Sequence, residues 1–395
     1  MVKKNKTIIV MLLSLPNKHI IEKYEINKNF KNCNIQYWNF LPLVKLDYYK
    51  KKKFLVKYKN FKFIYNFQTF YNLYKKLPKS FYYVNLVGNY FITSFLELFL
   101  KFKNGKKFSI DFGAFIEINL SKKIILNSIN LIKKFGLIFF FKKFFFFLIG
   151  YVSTFINEKI LKINPDYFFV SSEYSKKKIE RTVNLEKIYK IDSEDMKKFK
   201  NSRIKKSKEI ITFIDQGFDD NFDYSLRKFK NTKFDVNIYW KKINKFFILV
   251  NTIFPNHKII IACHPRRNKN SIKKFTKKKF FSNKTFELVA KSKFVIAHYS
   301  QSINFAVLLK KPILLLDSCD FNAHTLVRSL AVKKFANLLG SKSINLENES
   351  GNKIILEKKS FLRINSFKYK RFINTYIGFR EKKNRGIWKT ISKSL

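Results

Sequence analysis

The stretch that most constrains the fold is Phe294–Leu316, FVIAHYSQSINFAVLLKKPILLL. It opens with an apolar run, Phe294–Ala297, of a length suited to a buried strand. A polar turn follows, His298-Tyr299-Ser300-Gln301-Ser302. Ile303, Ala306 and Val307 then recur at helical spacing within Ile303–Leu309. Lys310 and Lys311 place positive charge where a helix C-terminus favours it, and Pro312 ends the helix. Ile313–Leu316 reads as a second buried strand. Strand, helix and strand in so short a span form a βαβ unit, which requires a parallel sheet.

The turn carries the chemistry of this unit. A hydroxyl from Ser300 or Ser302 is placed to cap the helix by accepting from its first N–H groups. The same N–H groups, with the positive end of the helix dipole, favour an anion. Two hydroxyls there suit a phosphate oxygen; helix capping alone is the plainer reading.

Two more polar clusters follow apolar runs just upstream. Ile210–Ile214 leads into Asp215-Gln216-Gly217, and Lys258–Ala262 leads into His264-Pro265-Arg266-Arg267. Between them Asn237–Phe254 has a helix pattern, apolar at Trp240, Ile243, Phe246, Phe247 and Val250, and Thr285–Ser292 predicts a short helix. In open parallel sheets ligands bind beyond the carboxyl ends of the strands, so the three clusters should line one crevice.

The upstream half repeats the alternation. Thr7–Leu15, Asn34–Trp38, Tyr82–Val87 and Phe108–Phe112 predict strands, as does the segment closing Asn164–Ser171. Asn17–Tyr24 and Phe61–Lys76 predict helices, and a polar helix is expected from Glu173. The expected class is α/β, with two domains each built on a parallel sheet flanked by helices. The boundaries read as a first domain over 1–190, a polar linker over 191–208 and a second domain over 209–345. A basic tail over 346–395 is expected to pack back on the first domain.

Composition bounds what such a chain does. Its 395 residues leave room for two or three domains, and 46% hydrophobic content excludes global disorder. A net charge of +54 points to nucleic acid or membrane. The lysines are scattered, however, and Lys, Asn, Ile and Phe abound together, the pattern an AT-rich genome imposes on any protein. Most of this charge therefore reads as solvated surface, with a smaller part facing acidic ligands or anionic lipid.

Cys33, Cys263 and Cys319 lack CxxC spacing and fit reduced thiols, which agrees with a cytoplasmic location. Lys3–Leu15 is too short in its apolar part for a signal peptide and reads as a first core strand. Phe135–Ile149, FGLIFFFKKFFFFLI, is too short to span a bilayer and carries Lys142 and Lys143 at its centre. It reads as a core helix or as an interfacial helix on the inner face of the cytoplasmic membrane.

The clusters suit phosphate chemistry. Arg266 and Arg267 offer bidentate donors for phosphate, and His264 can hydrogen-bond a phosphate or protonate a leaving oxygen. Asp215 can act as general base toward an acceptor hydroxyl, or simply form the turn before Gly217. His298 is either a ligand contact or a plain loop residue. GxxxxGK[ST], HExxH, GxSxG and DxD are all missing from the sequence. A P-loop, a zincin site, a serine-hydrolase elbow and a carboxylate-held metal are therefore not expected, and neither is a cofactor.

His264-Pro265 and the pair Ser300 and Ser302 before INFAVLLKKPILLL resemble the HP and serine motifs of bacterial GT-B glycosyltransferases, which implies two Rossmann-like domains facing each other across a cleft. The likeness is to the metal-independent surface-polysaccharide enzymes that include sialyltransferases. Asp215-Gln216-Gly217 resembles their acidic motif with one acid missing. The resemblance implies that His264 and the serines meet a nucleotide phosphate, with Gln216, Gly217, Pro265, Arg266, Arg267 and His298 around the donor. It implies transfer of a sugar from a CMP- or UDP-sugar to a cell-surface polysaccharide or lipopolysaccharide. Tyr299–Leu316 has no acid to hold a UDP ribose, which leans toward a CMP donor and an acid sugar such as sialic acid. Two rival readings are a nucleotide-sugar epimerase or hydrolase on the same fold and a basic nucleic-acid-associated protein. The latter lacks clustered charge and a base-stacking motif.

Overall fold

The computed structural model describes residues 6–13, 33–44, 60–87, 91–111, 152, 164–180, 187–203, 207–217, 235–264, 267, 272–318, 326–379 and 387–394. In the first half lie β1 (Lys6–Leu12), β2 (Cys33–Asn39), α1 (Leu41–Val44), β3 (Phe61–Phe63), α2 (Phe67–Lys75), β4 (Phe81–Asn85), α3 (Phe91–Phe102), β5 (Gly105–Ile110), β6 (Tyr167–Val170), α4 (Glu173–Glu180) and β7 (Ile188–Lys190). A helix, α5 (Glu194–Asn201), leads into β8 (Ile210–Ile214), α6 (Val236–Ile253), β9 (Lys258–Cys263), β10 (Phe280–Ser282), α7 (Thr285–Lys291) and β11 (Ser292–Ala297). The chain continues through α8 (Ile303–Leu308), β12 (Ile313–Asp317), α9 (Leu326–Leu339), β13 (Lys342–Asn345), α10 (Glu349–Lys358), α11 (Ser366–Phe372) and α12 (Ile387–Ser394).

The strands form two sheets, ordered β3-β2-β1-β4-β5-β6-β7 and β10-β9-β8-β11-β12-β13. Every strand pairing is parallel. Each sheet grows outward in both directions from a central pair, β1/β4 in one and β8/β11 in the other, which is the doubly wound order. Together they make the α/β GT-B architecture.

Burial follows the pleat. Ile211 and Phe213 of β8 join Phe294 and Ile296 of β11 and Leu314 and Leu316 of β12 on one face, under Trp240, Ile243 and Phe247 of α6. Ile214, Val295, Ala297, Ile313 and Leu315 point the other way, under α7, α8 and α9. A strand covered on both faces is apolar at nearly every position, so FVIA and ILLL read as continuous runs. In the first sheet, Ile8 and Val10 face one cluster while Ile9 and Met11 face the aromatic layer of α2 and α3.

Phe61–Lys76 is not one helix. Phe61–Phe63 forms the edge strand β3, Asn66 caps α2 through its side chain, and the helix starts at Phe67. Dense aromatics mask the change of period at the cap. The segment over 191–208 contains α5, capped by Ser193, with Met196 packed into the core of the second domain. Its charged residues cover the outer side of a helix whose one buried stripe is narrow. Lys311, after α8, is buried, and its Nζ donates to the carbonyls of Ser207 and Ser292 at 2.6 Å each. In α12, Ile391 is buried within the core cluster of the first sheet.

Asn17–Tyr24, Phe135–Ile149 and Cys319 lie outside the described residues. Among the described residues no helix is long and apolar enough to cross a membrane.

Candidate functional site

The crevice of a doubly wound sheet opens where neighbouring strands send their connections to opposite faces. In the second sheet that point lies between β8 and β11. Asp215 follows β8, His264 follows β9 on one side, and His298 follows β11 on the other.

Asp215 anchors this rim from beneath. Arg267 Nη1 donates to both of its carboxylate oxygens, at 2.9 and 2.8 Å, and the Gly217 N–H donates to Oδ1 at 2.9 Å. The two side chains are only 1% and 2% exposed. The Arg267 guanidinium also lies 5.3 Å from the centre of the Trp240 ring, and its backbone N–H closes a turn onto the His264 carbonyl. One buried ion pair thereby ties the loop after β9 to the loop after β8.

Gly217 has φ +60°, a conformation that disfavours side chains. A Cβ there would stand 3.3 Å from the His264 Cβ. Asp215, Gly217, His264 and Arg267 therefore come together at the ends of β8 and β9. Gln216 stands between Asp215 and Gly217, while Pro265 and Arg266 lie outside the described residues.

His298 sits deeper than its place in the turn suggests. The ring is buried, with Nδ1 2.9 Å from the Leu316 carbonyl and Nε2 2.8 Å from the Tyr239 hydroxyl. A carbonyl only accepts, so Nδ1 carries the proton and Nε2 accepts from Tyr239. Phe213 packs edge-on at 5.8 Å. The ring fastens β11 to β12 and α6, a core role that spacing along the chain does not reveal.

The serines do less for the helix than their positions imply. Ser302 occupies the N-cap position of α8 without a side-chain capping bond. The Ser300 hydroxyl accepts from the Ser302 N–H at 3.2 Å, and the turn closes through backbone bonds from Ile303, Asn304 and Phe305.

The first sheet has a polar rim of its own, formed by residues outside the three sequence clusters. Asp111 follows β5, Ser171 and Ser172 follow β6, and Asp192 follows β7. The Ser171 hydroxyl donates to Asp111 Oδ2 at 3.1 Å, while Asp192 is buried against Lys200 at 2.8 Å. Only Ser171 directly follows an apolar run, YFFV; the strands before Asp111 and Asp192 are broken by Lys and Ser and carry little signal. This edge of the first sheet abuts the second domain. Past β7, the Asp195 carboxylate accepts from Asn304 Nδ2 of α8 at 2.8 Å, and Tyr174 of α4 packs on Tyr376 at 5.4 Å. Among the described residues no cluster of three His, Cys, Asp or Glu side chains could hold a metal.

Comparison with known proteins agrees with this architecture. No protein-family model matches the sequence, and no curated protein does. Among solved structures, the wall teichoic acid polymerase TagF, in a variant soaked with CDPG, is similar over 100% of this chain and 88% of its own, with TM-score 0.51 and 12% identity. A second TagF variant gives 0.50 at 12% identity over 98% and 88% of the two chains. The glycotransferase of kitacinnamycin gives 0.49 at 8% identity over 99% and 98%. At such identities the likeness is one of fold.

Proposed function

We propose that the protein is a metal-independent glycosyltransferase that carries a sugar from a nucleotide donor on the second domain to a glycan acceptor on the first. The observation that carries this reading is the packing of His264 on Gly217, across the carboxyl ends of β9 and β8 and beside the β8/β11 crevice, underpinned by the Asp215–Arg267 pair. The close backbone turn and the histidine suit a phosphate, and Ser300 and Ser302 follow the neighbouring strand β11. The overall likeness to TagF supports a donor of the nucleotide-sugar type, because that polymerase was soaked with CDPG.

In this reading His264 hydrogen-bonds a donor phosphate oxygen, more strongly as negative charge gathers there while the sugar–oxygen bond breaks. Ser300 and Ser302 bind the same phosphate, and Arg266 adds charge beside it. Asp215 does not take a proton; it holds Arg267 and Gly217, and so the His264 loop. The acceptor hydroxyl attacks the anomeric carbon and passes its proton to Asp111, which Ser171 orients. Water is excluded as the two rims close on the substrates. The finer expectations are a CMP-linked acid sugar as donor, a surface polysaccharide as acceptor, and work at the inner face of the cytoplasmic membrane.

The test is a panel of CMP-, UDP- and GDP-sugars incubated with and without acceptor glycans. Donor cleavage that depends on an acceptor and yields a new glycosidic linkage supports transfer. Cleavage indifferent to acceptor, or interconversion of the sugar alone, assigns a hydrolase or epimerase instead.

A further inference from the structure

We infer that the outer face of α2 and α3 is a docking surface for an anionic lipid bilayer. This inference is independent of the donor chemistry. Phe67 of α2 is 48% exposed, and Phe95 and Phe102 of α3 are 45% and 79% exposed. Folding normally hides such rings, and contiguous apolar surface of this kind marks an interaction site. The patch is continuous: Phe99 lies 5.5 Å from Phe67, 5.4 Å from Phe95 and 6.1 Å from Tyr74, between the two helices. Beneath it Phe70, Leu96 and Leu100 anchor both helices on the sheet, so the exposed rings sit on a rigid base.

Charge selects the occupant. Lys75 stands 4.6 Å over the Tyr71 ring and Lys103 stands 4.9 Å over Tyr74, which places ammonium groups along the margin of the aromatic surface. Lys103 also donates to the carbonyls of Tyr74 and Lys75, at 2.8 and 3.0 Å, which fixes it there. The two helices contain one acid, Glu97, which is buried and paired with Lys107 at 2.9 Å. Exposed phenylalanines framed by lysines match the boundary between acyl chains and anionic headgroups. A nucleic acid is the less fitting occupant. The rings around Phe99 meet edge to face, at 64° to Phe67 and 77° to Phe95, and the parallel Tyr71 and Tyr74 rings carry Lys75 and Lys103 over their faces, where a stacked base would have to lie.

The experiment is co-sedimentation of the full chain with vesicles of phosphatidylcholine, alone or mixed with phosphatidylglycerol, at low and high salt. The variants are Phe102→Glu, at a largely exposed position, and Phe67→Glu, at a half-exposed one, with circular dichroism to verify folding. Because the whole chain is cationic, the deciding readout is the dependence on these rings. The expected result is binding to the mixed vesicles that falls about 10-fold or more in either variant and is partly retained at high salt. Three results would overturn the inference. They are no binding at low salt, binding unchanged in both folded variants, and binding of a single-stranded oligonucleotide that is lost in the variants while vesicle binding persists.

Discussion

The Asp215–Arg267 pair offers the sharpest quantitative test of how the second domain is built. Removing one member of a buried ion pair leaves the other charged and desolvated, at a cost of about 3–5 kcal/mol. Here both side chains are almost completely enclosed, and Arg267 reaches both carboxylate oxygens. The Asp215→Ala change also removes the acceptor for the Gly217 N–H, so the upper part of that range applies. With a urea slope of about 2 kcal/mol/M for a domain of this size, the midpoint should fall by roughly 2 M. Replacing both partners at once, Asp215→Leu with Arg267→Met, leaves no buried charge and should recover most of the loss.

Urea unfolding read by hydrogen exchange in peptides from β8 and β9 isolates the second domain from the first. A loss below about 1 kcal/mol for Asp215→Ala would refute the reasoning, since it would mean that water reaches the pair. So would a double change as costly as the two single ones combined. The same variants bear on mechanism. If Asp215 positions the His264 loop, donor binding should weaken in the folded double variant as well.

Three further outcomes follow from the site and the core. His264→Ala should lower turnover by about 10²-fold or more while the fold persists, as a steady-state assay on a donor that is turned over would measure. Activity should survive excess EDTA; a loss restored by Mg²⁺ or Mn²⁺ would place a metal in the reaction. Burial pushes the Tyr37 hydroxyl from 10.0 up to about 12. Its folded-state pKa is raised, so its contribution to stability is fully present below pH 10 and is lost as pH rises toward 12. Phenolate absorbance followed with circular dichroism should show ionisation and unfolding coinciding in that window.

Much of the architecture was legible because parallel strands buried on both faces are apolar throughout. FVIA, ILLL and IITFI could hardly be anything else, and the polar residue after each run marks a strand's carboxyl end. What escaped notice had a physical reason in each case. β3 was absorbed into a helix because Phe and Tyr are abundant on both sides of the Asn66 cap. The helix α5 carries so many charges that its buried Met196 leaves little periodic signal.

At the site, the chain order brings Asp215, Gly217 and His264 to one rim. It does not tell that Arg267 turns inward to the carboxylate. Nor does it tell that His298 spends both nitrogens on Tyr239 and Leu316. Side-chain direction past the end of a strand is set by the tertiary partners a residue finds. Asp111 and Ser171 meet across neighbouring strands, a pairing that only the sheet order β5-β6 discloses.

The central claim is that the rim at the ends of β8 and β9 binds a nucleotide sugar through His264 and the Gly217 turn. Its most direct test is calorimetric titration of CMP-, UDP- and GDP-sugars into the full chain and into Gly217→Val, whose side chain would intrude on His264. The account predicts that at least one donor binds the unaltered protein, and that its affinity falls about 10-fold or more in the folded variant. Failure of every donor to bind, or equal affinity in the two proteins, would contradict it.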